Sequence, residues 1–160
     1  VEGGDLIQRM HQGGGLLTGA FLVRNGRPQI IHRKDFSDVE TATNHVTEAI
    51  QSGPRLVVEG KSVAVESADS ATRRSGVAIT SSGDVLLFAT ELRFPGATFA
   101  EIQRMLLDPE LSVTDALNLD GGGSSQLYLA KSHSAGDEFL VTGGDLVPTA
   151  LIVRRKERPQ

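Results

Sequence analysis

The sequence predicts an α+β domain, mostly antiparallel sheet with one or two helices packed on it. Three observations carry that prediction. Eighteen glycines in 160 residues sit beside short apolar runs, the pattern of strands and tight turns. Asn25-Gly26 separates two such runs and is a strong hairpin signal. Thr98-x-x-Glu101 precedes an apolar stripe and has the spacing of a helix capping box. The length fits one domain, expected over residues 1–160.

Taken in order, residues 16–23 read as a strand that turns at Asn25-Gly26 into residues 29–31. Val39, Ala42, Val46, Ala49 and Ile50 follow at a mostly helical spacing, which predicts a helix there. Residues 55–58 turn at Glu59-Gly60 into residues 62–65, and residues 76–80 pair with 85–90 across Ser81-Ser82-Gly83-Asp84. The clearest helix covers residues 98–107. Phe99, Ile102, Met105 and Leu106 form its apolar stripe, and Asp108-Pro109 ends it. Strands are expected at residues 116–119, 126–130, 139–142 and 147–153, with Pro148 tolerated at a strand start or edge.

Composition narrows the function. Twenty acidic against sixteen basic residues give a net charge of −4, and no dense basic run exists, so nucleic acid is not an expected partner. Apolar runs such as residues 85–89 and 127–130 fall far short of the ~20 residues that span a bilayer. Cysteine is absent, which excludes disulfides, thiolate zinc sites and cysteine nucleophiles. The chain opens with Val1-Glu2-Gly3-Gly4, which sets the expectation of a processed or excised product.

The chemistry concentrates in Asn118-Leu119-Asp120-Gly121-Gly122-Gly123-Ser124-Ser125. Apolar and polar residues alternate up to Asp120, which places Asn118 and Asp120 on one strand face. Gly121, Gly122 and Gly123 leave the turn bare, so a ligand can approach the backbone. Successive amides there would form an anion-binding concavity, with Ser124 and Ser125 adding hydroxyl donors. A Walker loop needs a lysine that is missing, and a dinucleotide fingerprint needs a helix where residues 126–129 read as strand. A serine hydrolase built on Ser124 and His133 fails the nucleophile-elbow pattern, because Gln126 stands at its last position. A structural bulge capped by Asp120 is the competing reading. His11, His32, His45 and His133 show no metal-ligand spacing.

The same segment resembles the signature of the phosphodiester glycosidase family. Ser52-Gly53-Pro54-Arg55-Leu56-Val57 resembles that family's Ser-Gly-Pro strand entry, and Arg74-Ser75-Gly76-Val77-Ala78-Ile79 its Arg-Thr-Ala-Ile-Gly strand. The three blocks fall in the family's order across residues 45–153. Three features depart from it. No Asn-Gly-Gly-Phe-Phe-like block lies upstream, Asp145-Leu146 replaces an arginine before the last strand, and Ala78 replaces a glycine. The first sets the expectation of a missing N-terminal portion or a second chain that supplies it.

The resemblance implies a hydrolase that cleaves the glycosyl–phosphate bond of an α-N-acetylglucosaminyl phosphodiester-like substrate, in an extracytoplasmic setting. It assigns Asp120 as the catalytic carboxylate, with Asn118 beside it. Arg74 becomes the phosphate clamp, since a guanidinium fork matches two phosphate oxygens. Ser52, Gly53, Gly121, Gly122, Gly123, Ser124 and Ser125 become the substrate-binding set. An ionised Asp120 would repel a phosphate on the next amides. That conflict is relieved if the carboxylate faces the sugar carbon, or if a divalent cation, calcium or magnesium, bridges the two. The alternative is a non-catalytic module that binds phosphorylated glycans. Arg55, Arg73 and Tyr128 are weaker candidates, each with an ordinary surface or packing role.

Overall fold

The computed structural model describes residues 1–13, 15–36, 45–65, 70–91, 96–131 and 138–154. Among these residues ten strands and one α-helix run in the order β1 Gly19–Arg24, β2 Arg27–His32, β3 Val46–Ser52, β4 Arg55–Val58, β5 Lys61–Ser62, β6 Arg74–Thr80, β7 Val85–Ala89, α1 Phe99–Leu106, β8 Val113–Gly121, β9 Leu127–Leu129 and β10 Phe139–Val141. Every strand pairing is antiparallel. They form a three-stranded sheet ordered β2-β1-β3, a five-stranded sheet ordered β5-β4-β8-β6-β7, and a β9–β10 ribbon.

This corrects the α+β expectation. Among the described residues one eight-residue helix is present, with no helical layer, and the architecture is mostly β. The described part of the helix expected around residues 39–50 is strand. Val39 and Ala42 lie outside the described residues, whereas Val46, Ala49 and Ile50 belong to β3. Val23 pairs with Glu48 and Arg24 with Val46, so Thr47 is an extra residue in a β-bulge. That insertion puts Val46 and Ala49 in one cluster despite their helical spacing, while Ile50 faces the other way. Residues 147–153 likewise form no strand: Leu151 packs on the core, but Leu146, Ile152 and Val153 are exposed.

The turns follow local chemistry. Asn25 and Gly26 both take positive φ, as do Glu59 and Gly60, the geometry of the two-residue turn that suits strand twist. α1 has the full capping box: Glu101 N donates to Thr98 Oγ1 at 3.2 Å and Thr98 N to Glu101 Oε2 at 2.8 Å. Phe99, Ile102 and Leu106 enter a cluster with Leu56, Val57, Ala78 and Ala116 on one face of the five-stranded sheet. Met105, assigned by its spacing to the same stripe, is 46% exposed. The opposite face meets the three-stranded sheet through Phe21, Ile30, Val77, Ile79 and Leu117. Leu22, Phe36 and Val46 cover the far side of the smaller sheet. β8 therefore runs through the middle of the molecule, and its C-terminal end carries Asp120.

Candidate active site

β8 is irregular where the chemistry lies. Leu117 pairs with Val77, Asn118 with Gly76 and Asp120 with Ser75, so Leu119 is an extra residue in a second β-bulge. Directly paired residues share a sheet face. Gly76 lies on the α1 side, where a Cβ would meet Phe88, whereas Ser75 alternates with Val77 and Ile79 on the side of the small sheet. Asn118 and Asp120 accordingly occupy opposite faces. Simple alternation, which puts them on one face, fails because the bulge adds a residue between them. Two buried serines satisfy the bulge: Ser52 Oγ donates to the Leu119 carbonyl, and Ser75 Oγ to the Asp120 carbonyl at 3.2 Å.

Asp120 is exposed, and its Oδ1 accepts the Gly121 amide at 2.7 Å. The carboxylate is thus oriented by the first amide of its own loop. Gly122, at φ +62°, opens a 3-10 turn over Gly122–Ser124. Gly122 N donates to Arg73 O at 2.9 Å and Ser125 N to Gly122 O at 3.3 Å. The amides of Gly121, Gly122 and Ser125 are therefore committed internally, which shrinks the anion concavity that the glycines suggested. Ser124 is half-buried, and Ser125 is fully buried with no partner for its hydroxyl among the described residues.

A strap from residues 142–145 closes over this loop. Gly144 N and Asp145 N donate to Gly123 O at 2.9 and 3.2 Å. The Asp145 carboxylate lies where a Cβ on Gly123 would stand, so any side chain there must push that carboxylate aside. Arg73 clips loop to strap, its Nη2 donating to Ser125 O at 2.8 Å and to Thr142 O at 2.6 Å. Asp145 brings a second carboxylate to the loop. No local motif in the sequence announced it, because the contact spans more than twenty residues.

Arg74 approaches from the other face. It pairs with Gly121, lies 3.8 Å from the Phe99 ring centroid, and donates to Ala97 O at 3.2 Å and Ser70 O at 3.0 Å. Only 8% of it is exposed. Ser52, Gly53 and Asn118 sit beneath the loop as a buried brace. Asn118 Nδ2 donates to Gly53 O at 2.9 Å and its backbone amide to Pro54 O at 3.0 Å, leaving Oδ1 buried without a partner among the described residues. Gly53 is pressed against the Leu16 carbonyl and has no room for a Cβ. The structure thus gathers Asp120, residues 121–124, Arg73 and Asp145 toward the surface, with Ser52, Gly53, Asn118, Ser125 and Arg74 packed behind.

The family model of the phosphodiester glycosidases matches residues 1–154. The chain belongs to the phosphodiester glycosidase family. The match also begins upstream of the segment 45–153 in which the motif resemblance lies. The fold is similar to the catalytic domain of zebrafish N-acetylglucosamine-1-phosphodiester alpha-N-acetylglucosaminidase, auto-inhibited by its pro-peptide, at a TM-score of 0.55 and 17% identity. That likeness covers 86% of this chain and 55% of the zebrafish one, so the chain spans about half of the structure it matches. A hypothetical protein from Synechocystis is a looser likeness, at a TM-score of 0.42 and 19% identity over 68% of this chain and 29% of its own. No curated protein sequence matches the chain.

Other candidates fare differently. His133, the partner required by a serine hydrolase, lies outside the described residues. Among the described residues no three His, Asp or Glu side chains converge to hold a cation, and no helix is long and apolar enough to cross a membrane. Tyr128 is 59% exposed on β9, opposite Leu140. His32 is half-buried. Burial, then the nearby Arg55 guanidinium, hold its imidazole below the ordinary histidine pKa.

Proposed function

We propose that the chain is a hydrolase acting on glycosyl phosphodiesters, with an α-N-acetylglucosaminyl phosphodiester as its substrate class. One observation within this family carries the reading. The Leu119 bulge presents the Asp120 carboxylate at the end of β8, held by the Gly121 amide and exposed to an incoming ligand.

In the proposed reaction the bond between the sugar's anomeric carbon and the phosphodiester oxygen breaks, and the phosphate leaves with the bonding pair. A phosphate monoester is a better leaving group than a sugar alcohol, so protonation of the leaving oxygen matters less than in most glycosidases. The remaining task is to stabilise an oxocarbenium-like centre and supply the nucleophile. Asp120 does this as the base that takes a proton from the attacking water, or as the nucleophile itself. Asp145, across Gly123, is the second carboxylate of the reading. An extracytoplasmic location belongs to the same reading and rests on family membership.

Release of N-acetylglucosamine from its α-linked methyl phosphodiester is the test, run with the chain and with Asp120→Asn. Turnover that the variant loses supports the reading. A second reading, a non-catalytic module for phosphorylated glycans, draws on Asp145-Leu146 standing where the family carries an arginine before its last strand. Binding without release would favour it.

A further inference from the structure

One end of the layer between the two sheets is polar. Gly19 opens β1, and its cross-strand partners are His32 at the end of β2 and Ser52 at the end of β3. Paired residues share a face, so His32 and Ser52 stand on the side of Phe21 and Ile30, toward the five-stranded sheet. From that sheet Arg55, the first residue of β4, lays its stem on Gly19. A Cβ on Gly19 would stand 2.7 Å from Arg55 Cγ and 2.6 Å from Leu117 Cδ1. Thr18 fixes the meeting, its Oγ1 accepting Arg55 N at 2.9 Å and its carbonyl Arg33 N at 3.0 Å.

This is the side to which the bulge turns Asp120. Ser52 links the two, since it pairs with Gly19 and donates to the carbonyl of Leu119. Arg55 pairs with Leu117, three residues before Asp120 on β8, so both side chains belong to the same end of the sheet. The charge there is unbalanced. Arg55, Lys34 and Arg33 all depress His32, against Asp35 alone acting the other way. The Nε atoms of Arg55 and Arg33 are buried with no acceptor among the described residues. His32 Nδ1 accepts the Lys34 amide at 3.2 Å, which leaves Nε2 to carry the proton of the neutral ring and to donate. Arg74, by contrast, faces α1 and donates to backbone carbonyls.

We infer that Arg55 and His32 form the anion-binding corner of the site and hold the substrate's phosphate on the same side of β8 as Asp120. The inference rests on the hydrolase reading for its substrate, and on the sheet-end geometry for its residues. A guanidinium fork and an imidazole N–H supply directional donors to phosphate oxygens, which the committed amides of Gly121, Gly122 and Ser125 do not.

Inorganic phosphate is the probe, titrated into the chain by calorimetry and followed by NMR of the histidine rings. Phosphate should shift the His32 resonances and raise that ring's titration midpoint. Arg55→Met, which keeps an apolar stem over Gly19, should weaken phosphate binding at least tenfold, and Arg55→Lys should restore part of it. Thermal unfolding checks that Arg55→Met is folded. Should it not be, His32→Gln takes its place, with a several-fold weakening expected. Equal affinity in the wild type and the folded variant, no phosphate binding at all, or perturbation confined to residues 121–125 would overturn the inference. The two proposals fail separately. Phosphate binding through Arg55 without sugar release removes the hydrolase reading alone; sugar release with an unchanged KM in Arg55→Met removes this one alone.

Discussion

The Ser52 hydroxyl donates to the carbonyl of Leu119, sixty-seven residues along the chain and next to Asp120. That bond ties the small sheet to the bulge that turns the carboxylate toward it. Ser52→Ala leaves the Leu119 carbonyl unsatisfied at a buried position, which costs about 1–3 kcal/mol. Chemical denaturation should show that loss, and sugar release should fall by more than stability alone explains as the bulge relaxes. Unchanged stability would mean that the bond does not hold the bulge.

Two glycines separate support from site. An added methyl at Gly53 meets the Leu16 carbonyl and the Thr18 amide, both backbone, whereas at Gly123 it meets only the exposed Asp145 carboxylate. Gly53→Ala should destabilise the fold by about 3 kcal/mol or more, since backbone cannot step aside. Gly123→Ala should cost less than about 1 kcal/mol, because a surface carboxylate can swing away, yet it should impair sugar release. Thermal unfolding and a turnover assay on both variants read this contrast.

Arg74 donates to the Ala97 and Ser70 carbonyls and stacks on the Phe99 ring. Arg74→Ala removes charge-assisted bonds and a ring contact at a buried position, a loss of about 2–4 kcal/mol. Denaturant midpoints measure it. A variant that unfolds at the wild-type midpoint but loses phosphate affinity would make Arg74 the clamp that the motif resemblance implies.

His32 makes stability depend on pH. Its pKa in the folded chain is lowered by burial and by Arg55, with Lys34 and Arg33 adding to the effect and Asp35 opposing it. Below about pH 6.5, the ordinary histidine value, the unfolded chain takes up a proton that the folded chain resists. Stability therefore rises with pH through that window and falls as pH drops from 7 toward 5. His32→Gln should flatten this part of the curve, measured by denaturant unfolding at a series of pH values. Bound phosphate should flatten it too, by offsetting the cations.

Features coded by adjacent residues were legible in the sequence: the Asn25-Gly26 turn, the Thr98 capping box, the hairpin of β6 and β7, and the glycine loop after Asp120. What failed depended on single inserted residues. Thr47 disguised a strand as a helix, and Leu119 moved Asp120 to the face opposite Asn118. The meeting of Arg55 with His32 across Gly19 was equally hidden, since it exists only once two sheets pack. The strap that brings Asp145 over Gly123 has the same origin.

The central claim is that Asp120 drives cleavage of a glycosyl phosphodiester. Single-turnover release of N-acetylglucosamine from an α-linked phosphodiester, compared between wild type and Asp120→Asn at matched folding, tests it most directly. The account predicts release by the wild type and a rate at least a hundredfold lower in the variant, on the order of the 10²–10⁴ that a positioned acid–base group contributes. Equal rates in the two proteins, or no release by the wild type, would contradict it.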